Sequence, residues 1–117
     1  MALLTKDQIL AVNDRRFEVV PVPEWGGDVR VGTMTALQRD RYYVAIQRYR
    51  EADGESESPS AFLVAACVVD DAGASLFGPD EVPALAAKSS VALDRVMKAA
   101  SKLNALGASA LEAEKGN

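Results

Sequence analysis

Four carboxylates, Asp70, Asp71, Asp80 and Glu81, bracket a glycine-containing turn, and the chemistry such a cluster suggests is calcium binding. A calcium loop of the EF-hand type wants oxygen ligands at alternating positions and an acidic residue at its twelfth. Counted from Asp70, the third and fifth positions are Ala72 and Ala74; counted from Asp71, the third is Gly73. Neither register supplies the ligands, so the cluster reads as a turn followed by an acidic helix start. Trp25-Gly26-Gly27 is a fragment of a glycine-rich loop, but it lacks the lysine and the following helix that a phosphate cradle needs. Those glycines read instead as turn residues that permit positive φ. Trp25 at such a tip either folds back onto a helix or is presented to a partner. Cys67 stands alone in an apolar run and reads as a buried, inert thiol. The chain has no histidine, which removes Ser-His and Cys-His catalysis and the HExxH zinc site. One cysteine makes neither an internal disulfide nor a multi-cysteine metal site. Nothing gathers acid–base groups, and the expectation is a protein without enzymatic activity, metal or cofactor.

One segment mixes nucleic-acid-binding residue types. Arg39, Arg41, Arg48 and Arg50 lie with Tyr42, Tyr43 and Tyr49 between residues 35 and 52, where Asp40 and Glu51 leave a net charge of +2. The whole chain carries −4, so a global pull toward a phosphate backbone is absent. The arginines read as a solvated helix face that pairs with the acidic loop after it. Hence neither nucleic acid nor membrane is an expected partner, the latter because no stretch approaches the ~18–20 apolar residues of a spanning helix.

The elements that position these residues follow from local pattern. The 117 residues fit one domain, 49% hydrophobic and 26% charged. Thr5 with Gln8 has capping-box spacing and predicts a helix to about Val12, anchored by Ile9, Leu10 and Val12. Phe17–Val22 and Val29–Met34 read as strands, an antiparallel hairpin over about residues 17–33, with Pro21 marking an edge strand. Thr35 with Gln38 caps a long helix to about Ala52. Tyr42, Ala45, Ile46, Tyr49 and Ala52 share one of its faces, and Leu37 with Val44 forms a second stripe flanked by Arg41 and Arg48. The acidic run 53–58 predicts a mobile loop. Pro59 starts a run that is apolar all round, helical at first and with Val68-Val69 extended. A turn at Asp70–Gly73 and a short helix ending near Lys88 follow. Ser89 or Ser90 caps a last amphipathic helix through Leu106, with Gly107 as its C-cap and 107–117 as a flexible tail. The expected class is α+β: a mostly α-helical small domain over 1–106 with one β-hairpin.

Ordered together, these segments resemble a known family. The series runs from Leu4-Thr5-Lys6-Asp7-Gln8-Ile9-Leu10 to Val22-Pro23-Glu24-Trp25-Gly26-Gly27-Asp28-Val29-Arg30-Val31. It continues with Thr35-Ala36-Leu37-Gln38-Arg39-Asp40, Ala66-Cys67-Val68-Val69-Asp70-Asp71-Ala72-Gly73, Leu76-Phe77 with Asp80-Glu81-Val82, and the helix from Ser89 to Asn104. It resembles the tail assembly chaperones of long-tailed (siphovirus-type) bacteriophages and prophages. That resemblance implies a non-enzymatic protein of the bacterial host's cytoplasm that binds the tape measure protein, keeps it soluble, helps recruit major tail tube subunits and is missing from the mature virion. It also implies a short form beside a frameshifted longer form; weak self-association is a further expected contact. The family offers no catalytic residues to carry over. From the residues themselves, the partner-facing set is Leu37, Tyr43 and Val44, with Trp25 next. The rival readings are a structural tail or head–tail connector protein and, behind it, a small nucleic-acid binder.

Overall fold

Two reciprocal caps start the first two helices. The Thr5 N–H donates to Gln8 Oε1 at 2.9 Å while Gln8 N–H donates back to Thr5 Oγ1 at 3.2 Å. Thr35 and Gln38 repeat the pair at the same two distances. Each cap satisfies two of the backbone donors that a helix start leaves unpaired. The computed structural model describes residues 2–53 and 57–106, so part of the acidic loop 53–58 and the whole tail 107–117 lie outside the described residues.

Among the described residues five helices and three strands follow in the order α1 (Lys6–Ala11), β1 (Phe17–Val22), β2 (Gly27–Gly32), α2 (Ala36–Glu51), α3 (Pro59–Cys67), β3 (Val68–Val69), α4 (Val82–Ala86) and α5 (Ser90–Leu103). Single 3₁₀ turns at Pro23–Trp25 and Pro79–Glu81 link β1 to β2 and lead into α4. The α+β class read from the sequence is what the chain adopts, with the hairpin enlarged. β3 pairs antiparallel with β2 through Arg30↔Val69 and Val31↔Val68, giving the order β1-β2-β3. β1 is an edge strand, as Pro21 requires, and it runs in register from Phe17↔Gly32 to Val22↔Gly27. Gly26 takes φ 75° at the tip, the one position of this turn where positive φ is used.

The core lies between the inner face of the sheet and three helices. Val20, Val22 and Val31 from the sheet meet Leu63, Val64 and Cys67 of α3, Leu85 of α4, and Ala92, Val96 and Ala100 of α5. Ala92, Leu93, Val96, Met97, Ala99, Ala100 and Leu103, the apolar face of α5, are all buried or half-buried, so that helix spends its face on its own core. It ends earlier than expected, at Leu103 rather than Leu106. Asn104 is the cause: its Nδ2 donates to the Ala100 carbonyl at 2.8 Å and its Oδ1 accepts from Met34 N–H at 2.6 Å. Ala105 then turns to φ 57°, which takes the chain out of the helix before Gly107. A second correction concerns α1. Ile9, Leu10 and Val12 do not anchor it, no residue of α1 is buried, and Leu10 is 76% exposed. The cap forms the helix, but no hydrophobic surface of the body lies under it.

The outer face of the sheet is held by two arginines. Arg15 Nε and Nη2 donate to the Thr33 carbonyl at 3.2 and 3.1 Å, and its Nη1 reaches the Gly73 carbonyl at 3.1 Å. Arg30 Nη1 donates to the carbonyls of Asp70 and Asp71, both at 3.0 Å. Their guanidinium carbons lie 5.3 and 4.0 Å from the ring centroid of Phe17. The ring in turn covers Gly32, where an added Cβ would stand 2.9 Å from it. Gly32→Ala should therefore lower stability by about 1–3 kcal/mol through overpacking. Gly27→Ala, where a Cβ meets nothing within 4 Å, should stay within about 0.5 kcal/mol of the parent. Urea unfolding of both variants checks the contrast.

Candidate functional site

α2 is sixteen residues long and buries none of them. It leans on α3 through Tyr42, whose ring stacks on Phe62 at 6.5 Å and 17°, and through the half-buried Ala45 and Ile46. Tyr49 and Ala52, expected on the same inner face, are exposed because the face runs past the end of α3. Burial pushes the Tyr42 phenol up from its ordinary range, with the neighbouring Cys67 and Tyr43 adding to the shift.

The seam between α2 and α3 is open. One groove of about 500 Å³ is lined by Arg41, Val44, Ala45, Arg48, Glu57, Phe62 and Pro79. Beside it a groove of about 520 Å³ shares Arg41, Phe62 and Pro79 and runs past Ala65 and Ala66 to Phe77 and Val82. A third, of about 390 Å³, shares Phe77 and is bounded by Trp25, Ala84 and Leu85 with Glu81 and Lys88 beside them. The three linked grooves make an apolar channel with charged residues along it.

The four residues expected to face a partner are all exposed: Leu37 57%, Tyr43 49%, Val44 45% and Trp25 37%. The channel brings two of them together as its ends, Val44 at one and Trp25 at the other. Leu37 and Tyr43 line none of the three grooves and stand elsewhere on α2. Trp25 shares its groove with Phe77 and Leu85, and its turn is tied to α5, where Arg95 Nε donates to Glu24 Oε1 and Oε2 at 2.8 and 3.0 Å. That hydrogen bond holds the Glu24 carboxyl below its ordinary value. Its stabilisation is present above the unfolded carboxyl range and fades as pH falls through the lowered folded pKa. Phe62, Phe77 and Pro79, which floor the channel, did not stand out in the sequence. The signal was indirect: α2 carries too little apolar surface to cover a helix that is apolar all round.

The expected pairing of the α2 arginines with the acidic loop 53–58 falls partly outside the described residues, which leave out Glu55. Among the described residues the one ion pair joins Arg95 to Glu24, and Glu51 accepts instead from Gln47 Nε2 at 3.1 Å. Asp70 is committed to its turn, where Oδ1 accepts from the N–H groups of Ala72 and Ala74 at 2.8 and 3.0 Å. Among the described residues no three His, Cys, Asp or Glu side chains gather as a metal site.

Cys67 is buried, and Asn104 Nδ2 approaches its Sγ at 3.6 Å. Burial pushes the thiol up to about 12, partly offset by that contact. The thiolate fraction near pH 8 should then fall roughly 10³-fold below that of an ordinary cysteine. Iodoacetamide should alkylate Cys67 slowly in the native protein and readily in urea, as followed by mass spectrometry. Native alkylation at the rate of a free thiol would contradict the burial.

No family model matches the chain, and no curated protein does. Among solved structures, the tail assembly chaperone of bacteriophage HK97 matches at 20% identity with a TM-score of 0.61, over 83% of this chain and 90% of that one. No helix among the described residues is long and apolar enough to cross a membrane. The resemblance read from the sequence thus holds at the level of architecture: the chain has the fold of that tail assembly chaperone.

Proposed function

We propose that this protein is a tail assembly chaperone of a long-tailed phage or prophage. It binds the tape measure protein, keeps it soluble and helps recruit major tail tube subunits around it. The observation that carries the reading is the fold shared with the HK97 chaperone over most of both chains. The surface supports it. A protein that holds another needs exposed apolar groups without an apolar exterior so large that it aggregates. Here those groups are a channel bounded by Val44 and Trp25, the stripe of Leu37 with Tyr43 nearby, and the uncovered α1. Many copies along one long tape measure chain would gain by avidity even where each contact is weak. The frameshifted longer form and further copies of this chain are the other contacts of this role. Its setting is the cytoplasm of the bacterial host, and it is left behind when the virion matures.

Co-expression with the tape measure gene of the same cluster tests the reading. The soluble fraction of the tape measure protein should rise several-fold, and the two should co-purify. No rise and no co-purification overturn it. In purified virions, mass spectrometry should find this chain missing or at trace level. Stoichiometric amounts would make it a structural tail or connector protein instead.

A further inference from the structure

We infer that the seam between α2 and α3 seats an amphipathic helix whose apolar stripe is flanked by carboxylates. This deepens the chaperone reading by naming the chemistry of the segment held, and it rests on that reading only for the partner's source. The floor of the seam is Val44, Ala45, Phe62, Ala65, Phe77 and Pro79, aliphatic or small apart from two rings, one of which, Phe62, stacks with Tyr42. Alanines at two of these positions let a helix backbone approach closely, as helix-in-groove recognition needs. α2 has 16 residues, about 24 Å of length at 1.5 Å per residue, enough to line several turns of a guest.

The charge at the seam selects the guest. Arg41 and Arg48 line it, seven residues apart and so about 10 Å along the helix. Neither has an ion-pair partner among the described residues. Among the described residues the opposing charge on the lining is the carboxylate of Glu57. α2 is a cationic strip in an otherwise acidic chain, four arginines against Asp40 and Glu51 where the whole sequence carries −4. Guanidinium groups grip carboxylates in a two-pronged manner that matches planar acids spaced by two turns on a neighbouring helix. A nucleic acid fits this site less well, because two cations along an apolar floor are few for a phosphate backbone and the whole chain carries −4.

Two fluorescein-labelled synthetic peptides probe the seam with the full chain. They share one Leu/Ala stripe; one has glutamates flanking it at seven-residue spacing, its twin has lysines. In 50 mM salt the glutamate peptide should bind at least ~10-fold tighter by anisotropy, with the gap narrowing to within about 3-fold at 300 mM as screening sets in. Arg41→Glu with Arg48→Glu should reverse the preference. Arg39→Glu with Arg50→Glu, the same charge change off the seam, should keep it. All four arginines are exposed, and a thermal melt of each variant confirms folding. Equal affinity for the two peptides, or equal effects of the two double variants, overturns the inference. So does self-association that the seam variant alone abolishes, which would make a second copy the occupant, or displacement of the peptide by a short oligonucleotide. Tape measure solubilisation that survives Arg41→Glu with Arg48→Glu overturns the seam and leaves the chaperone role. Failure of the parent chain to solubilise it sinks that role, while the peptide preference stands or falls separately.

Discussion

α3 is a helix with no side to show to water. Its nine residues from Pro59 to Cys67 are apolar except Ser60, and five of them are buried. Burial of Leu63 and Val64 alone contributes about 1.5–3 kcal/mol each relative to exposure, so the chain must enclose the helix to fold. α5 covers it from one side, α4 from another, and α2 leans on a third, while its own continuation becomes β3 and joins the sheet. The sheet in turn supplies Val22 and Val31 to the same core. Arg15 and Arg30 then stitch the base of the hairpin to the turn that leaves β3. Those bonds close over the outer sheet face and fix where α3 ends. The rest of the architecture is the set of covers this one helix demands.

The covers are unequal. α5 offers seven apolar residues in one continuous face and closes tightly. α2 offers Tyr42, Ala45 and Ile46, and its remaining positions are largely charged or polar. A cover with so narrow an apolar stripe cannot seal against Phe62, Ala65 and Ala66, so a channel stays open beside it. The opening is thus a consequence of composition. Widening the stripe of α2 would shut the seam, and it would do so by removing Arg41 or Arg48 from the lining.

Local signals were legible and long-range ones were not. Thr5 with Gln8 and Thr35 with Gln38 announced both caps, Pro59 the start of α3, and Pro21 an edge strand, because each acts within a few residues. The face of α5 was legible because helical period fixes it. The exposure of Ile9 and Leu10 was not, since a helix's own pattern cannot say whether the body has a surface to meet it. Asn104 ended α5 early through a bond to Met34, seventy residues away. For the site, exposure of Leu37, Tyr43, Val44 and Trp25 was legible, but which of them share a channel depends on Phe62, Phe77 and Pro79 from other elements.

The arginines beside the channel answer a problem the channel creates. An open apolar seam on a small protein is an invitation for two copies to pair seam to seam. Such a pairing is self-complementary, so each residue on one copy meets the lining of the other. The Arg41 and Arg48 guanidinium groups of both copies would then share one poorly hydrated contact, and like charges there are costly. Lysines would retract their charge along flexible stems, whereas guanidinium groups stay charged and keep a fixed planar shape. The helix inferred to seat there would instead meet those charges with its carboxylates, so one placement of charge would disfavour the symmetric contact and favour the guest.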